Sequence, residues 1–161
     1  KLGGGSILDQ CHIMDLAHYF CGNFKSVMAF NSKISSLEVN ADDIAEMVVS
    51  LEHNILASIH TDIFGRQHKK SLEIKGAKGN LNWDFYNKKI TVYEAENKKI
   101  EEYKNLDLDF NDSYLREINH FIACCEGKET TISPLQDGID TMKLILAAEL
   151  SHEKRQLIDN D

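Results

Sequence analysis

The sequence predicts an α+β fold: an open, mostly antiparallel β-sheet of about six to eight strands with helices on one face. Apolar residues near the start recur at helical spacing, the middle of the chain alternates apolar and polar residues between short turns, and two amphipathic segments close it. Consecutive strands joined by short turns pair antiparallel, and helices grouped at the chain ends cover one face of the sheet they flank.

The first element is a helix over Ser6–Cys21, entered from a glycine run, with Ile7, Cys11, Met14 and Cys21 on its apolar side and Gly22 as its stop. Strand grammar follows over 25–35 and 41–64. Ala45, Met47, Val49 and Leu51 alternate with Ile44, Glu46, Val48 and Ser50. Glu52–Asn54 then reads as a hairpin turn, and Ser58, His60 and Asp62 share the face opposite Ile55, Ala57, Ile59 and Ile63. "SLEIKGAKGNLNWDF" reads as two short strands around Gly76 and Gly79. With no helix behind it, that glycine pair predicts a turn rather than a phosphate loop. "KKITVY" and "KKIEEY" supply two more strands. In the first closing helix Leu115, Ile118, Ile122 and Cys125 form the stripe and Gly127 the stop. The second starts with Ser133 as N-cap, Pro134 at N1 and Gln136 completing a capping box, and buries Leu135, Ile139, Met142, Leu146 and Leu150.

Composition narrows the function classes. With 26 acidic against 18 basic residues the net charge is −8, and no basic stripe interrupts it, which disfavours nucleic acid as a partner. No apolar run is long enough to span a bilayer, and no secretory leader is visible. Cys11, Cys21, Cys124 and Cys125 contain no C-x-x-C pair, so they read as reduced, mostly buried thiols of a cytoplasmic protein. There is no internal repeat or linker, and residues 1–161 read as a single domain.

Two constellations carry candidate chemistry. Asp9, His12 and Asp15 recur three apart, one turn above each other on a helix, so the imidazole is flanked by carboxylates that favour its protonated form and fix its tautomer. Such a histidine suits a general base for a hydroxyl, although the same spacing also fits a solvated helix face. A metal reading through His12, Asp15 and His18 is weaker, because H-E-x-x-H is absent. His60 and Asp62, two apart on a strand, face the same way, with Arg66 just beyond. Without a cleft to place them in, they also fit a polar solvent face.

On these residues the chain resembles the C-terminal domain of the Gfo/Idh/MocA oxidoreductases. "GGGSILDQCHIMDLAHYFCG" is similar to the family's glycine run, Asp, His-x-x-Asp and late glycine. "SLEIKGAKGNLNWDF" resembles its strand–Gly–strand segment ending in Trp-Asp. "YLREINHFIACCEGKETTISPLQDGIDTMKLILAAELSHEKRQLI" resembles its closing helix pair. The resemblance runs in order from Gly3 to about Ile158.

The resemblance implies an NAD(P)-dependent oxidoreductase whose N-terminal Rossmann domain is absent from this chain, since no strand runs into G-x-G-x-x-G and no Glu-Lys-Pro segment is present. It implies His12 as proton acceptor at the substrate hydroxyl, Asp9 as its positioning partner, and Asp15 as a trailing acid at the substrate or in a structural role. One departure is that two residues, Gln10 and Cys11, separate Asp9 from His12 where many members have three. A subset resembling sugar-modifying enzymes shares the shorter gap and a later His-x-Asp and Arg, matching His60, Asp62 and Arg66. The implied substrate is therefore a sugar or sugar nucleotide. The implied cofactor is NAD or NADP in the intact parent, with none bound by this chain alone and no metal. The implied partners are the nucleotide-binding domain and a second copy docked through the sheet. The alternative is a non-catalytic ligand-binding or assembly module of the same fold.

Overall fold

The structure is a computed structural model and describes residues 4–104 and 109–160; Gly3, at the head of the glycine run, lies outside them. The fold is α+β. Helices α1 (Gly5–Asp9) and α2 (Cys11–Cys21) precede strands β1 (Phe24–Ser32), β2 (Ile44–Leu51) and β3 (Leu56–Asp62). Then come β4 (Ser71–Gly76), β5 (Gly79–Asp84), β6 (Lys89–Glu94) and β7 (Lys99–Lys104), followed by α3 (Phe110–Cys125), α4 (Leu135–Lys154) and a short β8 (Ile158–Asp159). Among the described residues the strands pair antiparallel, in two four-stranded sheets ordered β3-β2-β1-β8 and β4-β5-β6-β7. The chain divides into two compact units: residues 1–64 with 132–161, and residues 65–131.

In the first unit α1, α2 and α4 cover one face of the first sheet. The alternation expected of a half-buried strand is visible in β2, where Ala45, Met47, Val49 and Leu51 are buried while Glu46 and Val48 are exposed. With Val27 and Ile59 they pack on Ile7, Met14, Leu144, Ile145 and Ala148. The opposite face is open, and Met28, Phe30 and Val48 are exposed on it. The Glu52–Asn54 segment forms a tight hairpin turn, with His53 and Asn54 at positive φ and Ile55 N–H donating to Glu52 O at 3.2 Å.

Three expectations need correcting. The single helix over 6–21 is broken at Gln10, whose φ of −102° and ψ of 23° separate α1 from α2. The start of α4 is one residue later than expected: Pro134 is the cap position, and Gln136 donates its amide to the Asp140 carboxylate at 3.1 Å instead of reaching back. The buried stripe of α4 is Thr141, Leu144, Ile145, Ala148 and Ser151, whereas Leu135 is 81% and Leu146 58% exposed and Ile139 and Met142 are also exposed. Both stripes have helical spacing. The sheet takes the one whose small residues let the helix approach, and Ser151 and His152 accept the free β1 edge amides of Ala29 (3.0 Å) and Asn31 (3.3 Å). The two-residue β8 adds a strand that the sequence does not signal.

The second unit contains the β4–β7 meander and α3. Gly76 and Gly79 flank a two-residue turn, as expected. Leu72, Trp83, Ile90 and Tyr103 form one cross-strand row and Ile74, Leu81, Val92 and Glu101 the next. None of the described residues of this unit is buried. The expected α3 stripe is likewise exposed at Leu115, Ile118 and Ile122.

Candidate functional site

The glycine run builds the base of the first candidate site. Gly5 has φ +80°, and a Cβ there would meet the Asp42 carboxylate at 2.2 Å, so only glycine fits. That approach lets Asp42 hold the start of α1: its carbonyl accepts from Ser6 N–H and its carboxylate from Ile7 N–H, both at 2.9 Å. Ser6 Oγ donates to Thr61 Oγ1 of β3 at 2.9 Å, tying the helix to the sheet. The break at Gln10 then redirects the chain into α2.

On this scaffold Asp9 and His12 are exposed, Asp9 at the end of α1 and His12 in the first turn of α2. The interruption at Gln10 leaves Asp9 and His12 on separate helices instead of the expected continuous one, whereas His12 and Asp15 share α2. Asp15 is half-buried and accepts from Thr141 Oγ1 of α4 at 3.1 Å. His18 lies 3.7 Å from Asp137, also on α4. Asp15 and His18 thus face α4, and among the described residues no cluster of His, Cys, Asp or Glu has metal-binding geometry.

The second candidate forms on the open face of the first sheet. His60 Nδ1 lies 2.6 Å from Glu46 Oε1 and Nε2 lies 3.0 Å from Asp62 Oδ2. Hydrogen bonds to Glu46 and then Asp62 raise the His60 pKa against a smaller opposing effect of burial. Both ring nitrogens face carboxylate acceptors, so this geometry favours the protonated ring, which donates from both nitrogens. Asp62 is fixed in turn by the Phe64 amide at 3.1 Å. Glu46 is the member of this cluster that the spacing within one strand does not reveal, yet the signal is present: folding 44–51 against 56–62 about the turn places Glu46 opposite His60.

The sheet separates the two candidates. Thr61 points to α1 and its neighbour His60 to the other face, so His12 and the Glu46–His60–Asp62 cluster lie on opposite sides of the first sheet. Arg66 is exposed in the second unit. In that unit a concavity of about 420 Å³ opens on the apolar face of the meander, lined by Ile74, Leu81, Val92, Lys78 and Glu101 among others, and none of the six predicted residues lines it.

Residues 1–159 match the family described as "Oxidoreductase family, C-terminal alpha/beta domain". The chain belongs to the Gfo/Idh/MocA oxidoreductase family. Among solved structures it is similar to a levoglucosan dehydrogenase in complex with NADH and L-sorbose (17% identity, TM-score 0.81, 92% of this chain and 48% of that one). An oxidoreductase domain protein from Kribbella flavida matches at 18% identity and TM-score 0.80, over 93% and 48% of the two chains. The WlbA dehydrogenase from Bordetella pertussis, in complex with NADH and UDP-GlcNAcA, matches at 19% identity and TM-score 0.74, over 98% and 48%. At these identities the likeness shows the fold. The chain spans about half the length of these structures. No curated protein matches it.

The described residues do not build the cradle by which a β-α-β unit holds a dinucleotide. Its pyrophosphate is held where a parallel β-α-β unit carries a glycine-rich turn into a helix. Every described strand pair is antiparallel. The glycine run at the start enters a five-residue helix, and the Gly76–Gly79 turn enters a strand.

Proposed function

We propose that this chain is the substrate-binding and assembly domain of an NAD(P)-dependent oxidoreductase acting on a sugar or sugar-nucleotide hydroxyl, turning over only alongside a nucleotide-binding domain. The observation that carries this reading is the family match over residues 1–159 in a chain half the length of its NADH-bound structural relatives. In this reading His12 takes the proton of the substrate hydroxyl, Asp9 orients substrate and ring, and Asp15, anchored by Thr141, sets the roll of α2 beneath them. The exposed position of His12 in the first turn of α2 supports that role. His60 and Asp62, with Arg66, were expected at the substrate. His60 and Asp62 stand on the open face of the first sheet, which also supports a place for them at a copy-to-copy contact.

The test is nicotinamide reduction across a panel of sugars and sugar nucleotides, using the gene product that carries both domains. His12→Asn is expected to lower kcat by about 100-fold or more, the usual weight of a positioned base. Full turnover in that variant removes His12 from the role. A second reading, a non-catalytic binding or assembly module, draws on the open apolar face with Met28, Phe30 and Val48. It gains if sugar nucleotides bind and no sugar in the panel is oxidised.

A further inference from the structure

We propose that Cys124 is a reactive thiol that exchanges with small disulfides, with His120 as its base and Glu129 as the group that orients that base. Residues 120 and 124 are one turn apart on α3, so their side chains lie on one face. Cys124 Sγ is 3.6 Å from His120 Nε2, and His120 Nδ1 is 2.6 Å from Glu129 Oε2.

Glu129 arrives by a turn at the helix end. Glu126 N–H donates to Ile122 O at 3.0 Å, Gly127 N–H to Cys124 O at 3.0 Å, and Lys128 and Glu129 N–H both to Ala123 O at 2.9 and 3.3 Å. These bonds fold the chain back along the last turn and bring the carboxylate to the ring.

The order of groups gives the cluster its chemistry. A carboxylate at Nδ1 keeps the ring proton there and leaves the Nε2 lone pair facing the sulfur, so the thiol donates and the imidazole accepts. A half-buried cysteine is more commonly a small apolar filler; here it faces a histidine whose tautomer is set from the far side. The C-terminal end of a helix disfavours a thiolate, and neighbouring Glu126 is paired with Lys128 at 2.7 Å. Reactivity at Cys124 therefore depends on the imidazole.

In the exchange the Cys124 proton passes to His120 Nε2, and the sulfur attacks one sulfur of the disulfide. The S–S bond of the reagent breaks, a mixed disulfide forms on Cys124, and the departing thiolate takes the proton back from His120. Cys124 is oxidised and one half of the reagent is reduced. Cys125 is the built-in control: it follows Cys124 directly, is more exposed, and points about 100° away around the helix.

The experiment treats the 161-residue chain with oxidised glutathione at neutral pH and follows mixed-disulfide formation by peptide mass mapping, with Cys125→Ser isolating Cys124 and Cys124→Ser isolating Cys125. Cys124 is expected to react roughly threefold faster or more despite its lower exposure. His120→Asn in the Cys125→Ser background should remove that advantage, and Glu129→Gln should reduce it. Cys125 reacting as fast as Cys124 overturns the proposal, as does a Cys124 rate indifferent to His120→Asn. The comparison of the two cysteines needs no change at His120 or Glu129, so it decides the matter even where a variant at either position fails to fold.

Discussion

The two sheets have equal strand number and the same antiparallel pairing, yet they are held together differently. The first has a sealed face: Val27, Ala45, Met47, Val49, Leu51 and Ile59 pack on three helices. The second has no buried residue among those described, and its order rests on cross-strand rows such as Leu72–Trp83–Ile90–Tyr103 and on charges laid across strands. Glu102, with Lys104 at 2.6 Å and Lys89 on its other side, is held at about 2 by these hydrogen bonds. Burial concentrates stability in the first sheet. Truncating Ile145, fully buried, to alanine is expected to cost about 3 kcal/mol. Ile90→Ala in the meander should cost about 1 kcal/mol or less, because a half-exposed side chain leaves no closed cavity. Urea unfolding checks both, with circular dichroism following the whole chain and the one tryptophan, Trp83, following the meander. Equal losses at the two positions would mean the meander has a core as demanding as the first sheet's.

The connections differ in the same way. The first sheet joins β1 to β2 by a long loop, pinned from inside by Asp43. Its fully buried carboxylate accepts from the amides of Ile34 (2.8 Å) and Ser35 (2.9 Å) and the Ser35 hydroxyl (2.5 Å), with Lys33 at 3.1 Å. Burial alone would raise its pKa. The Ile34 amide, the Ser35 hydroxyl and amide and the Lys33 ammonium together outweigh that and hold it well below the usual carboxylate range. The meander uses exposed turns, and Asp84 accepts from the Asn87 amide at 3.0 Å. A carboxyl depressed in the folded state stabilises above its unfolded value, and that contribution is lost as pH falls through the folded value. The loss therefore begins below about pH 4. Asp43→Asn should lower stability at neutral pH and flatten the acid limb of the profile, whereas Asp84→Asn should leave most of that limb in place. Thermal unfolding from about pH 7 down to about pH 2 reads the difference; an unchanged limb in Asp43→Asn would take the acid sensitivity away from this loop.

Much of this contrast is visible in the residues. The period of β2, the Glu52–Asn54 turn and the Gly76–Gly79 hairpin are local signals, and local signals are what a sequence displays. The choice between the two α4 stripes is not local. Leu135–Ile139–Met142–Leu146 and Thr141–Leu144–Ile145–Ala148 both keep helical spacing, and only the sheet decides which is covered. The break at Gln10 is similarly invisible, because no proline or glycine marks it. Of the candidate site, the residue types are legible but their faces only partly so. Alternation puts His60 and Asp62 together, and the hairpin register adds Glu46. Nothing in the spacing says that His12 lies across the sheet from them. The meander also carries a short repeat, contrary to the expectation of none. Asp84-x-x-Asn87-Lys88-Lys89-Ile90 and Glu94-x-x-Asn97-Lys98-Lys99-Ile100 build matching turns, each with the first lysine of its pair, Lys88 and Lys98, at positive φ.

The open faces permit the finest comparison, because there the first sheet also depends on charge. Glu46, His60 and Asp62 lie on β2 and β3 beside Phe30, which is paired with Glu46 in the register. A histidine raised in the folded state contributes stability that is fully present below its unfolded value, about 6.5, and is lost as pH rises through the folded value above it. Its side chain is half-exposed, so solvent screening limits the contribution to about 0.5 kcal/mol. Glu46→Gln is expected to lower the His60 pKa, measured by imidazole proton NMR, and to shift stability by no more than that amount. Asp62→Asn should act in the same direction with a smaller shift, since Glu46 contributes the larger hydrogen bond. If the ring titrates identically in wild type and Glu46→Gln, the pair is not formed, and charge does not hold the open face of the first sheet.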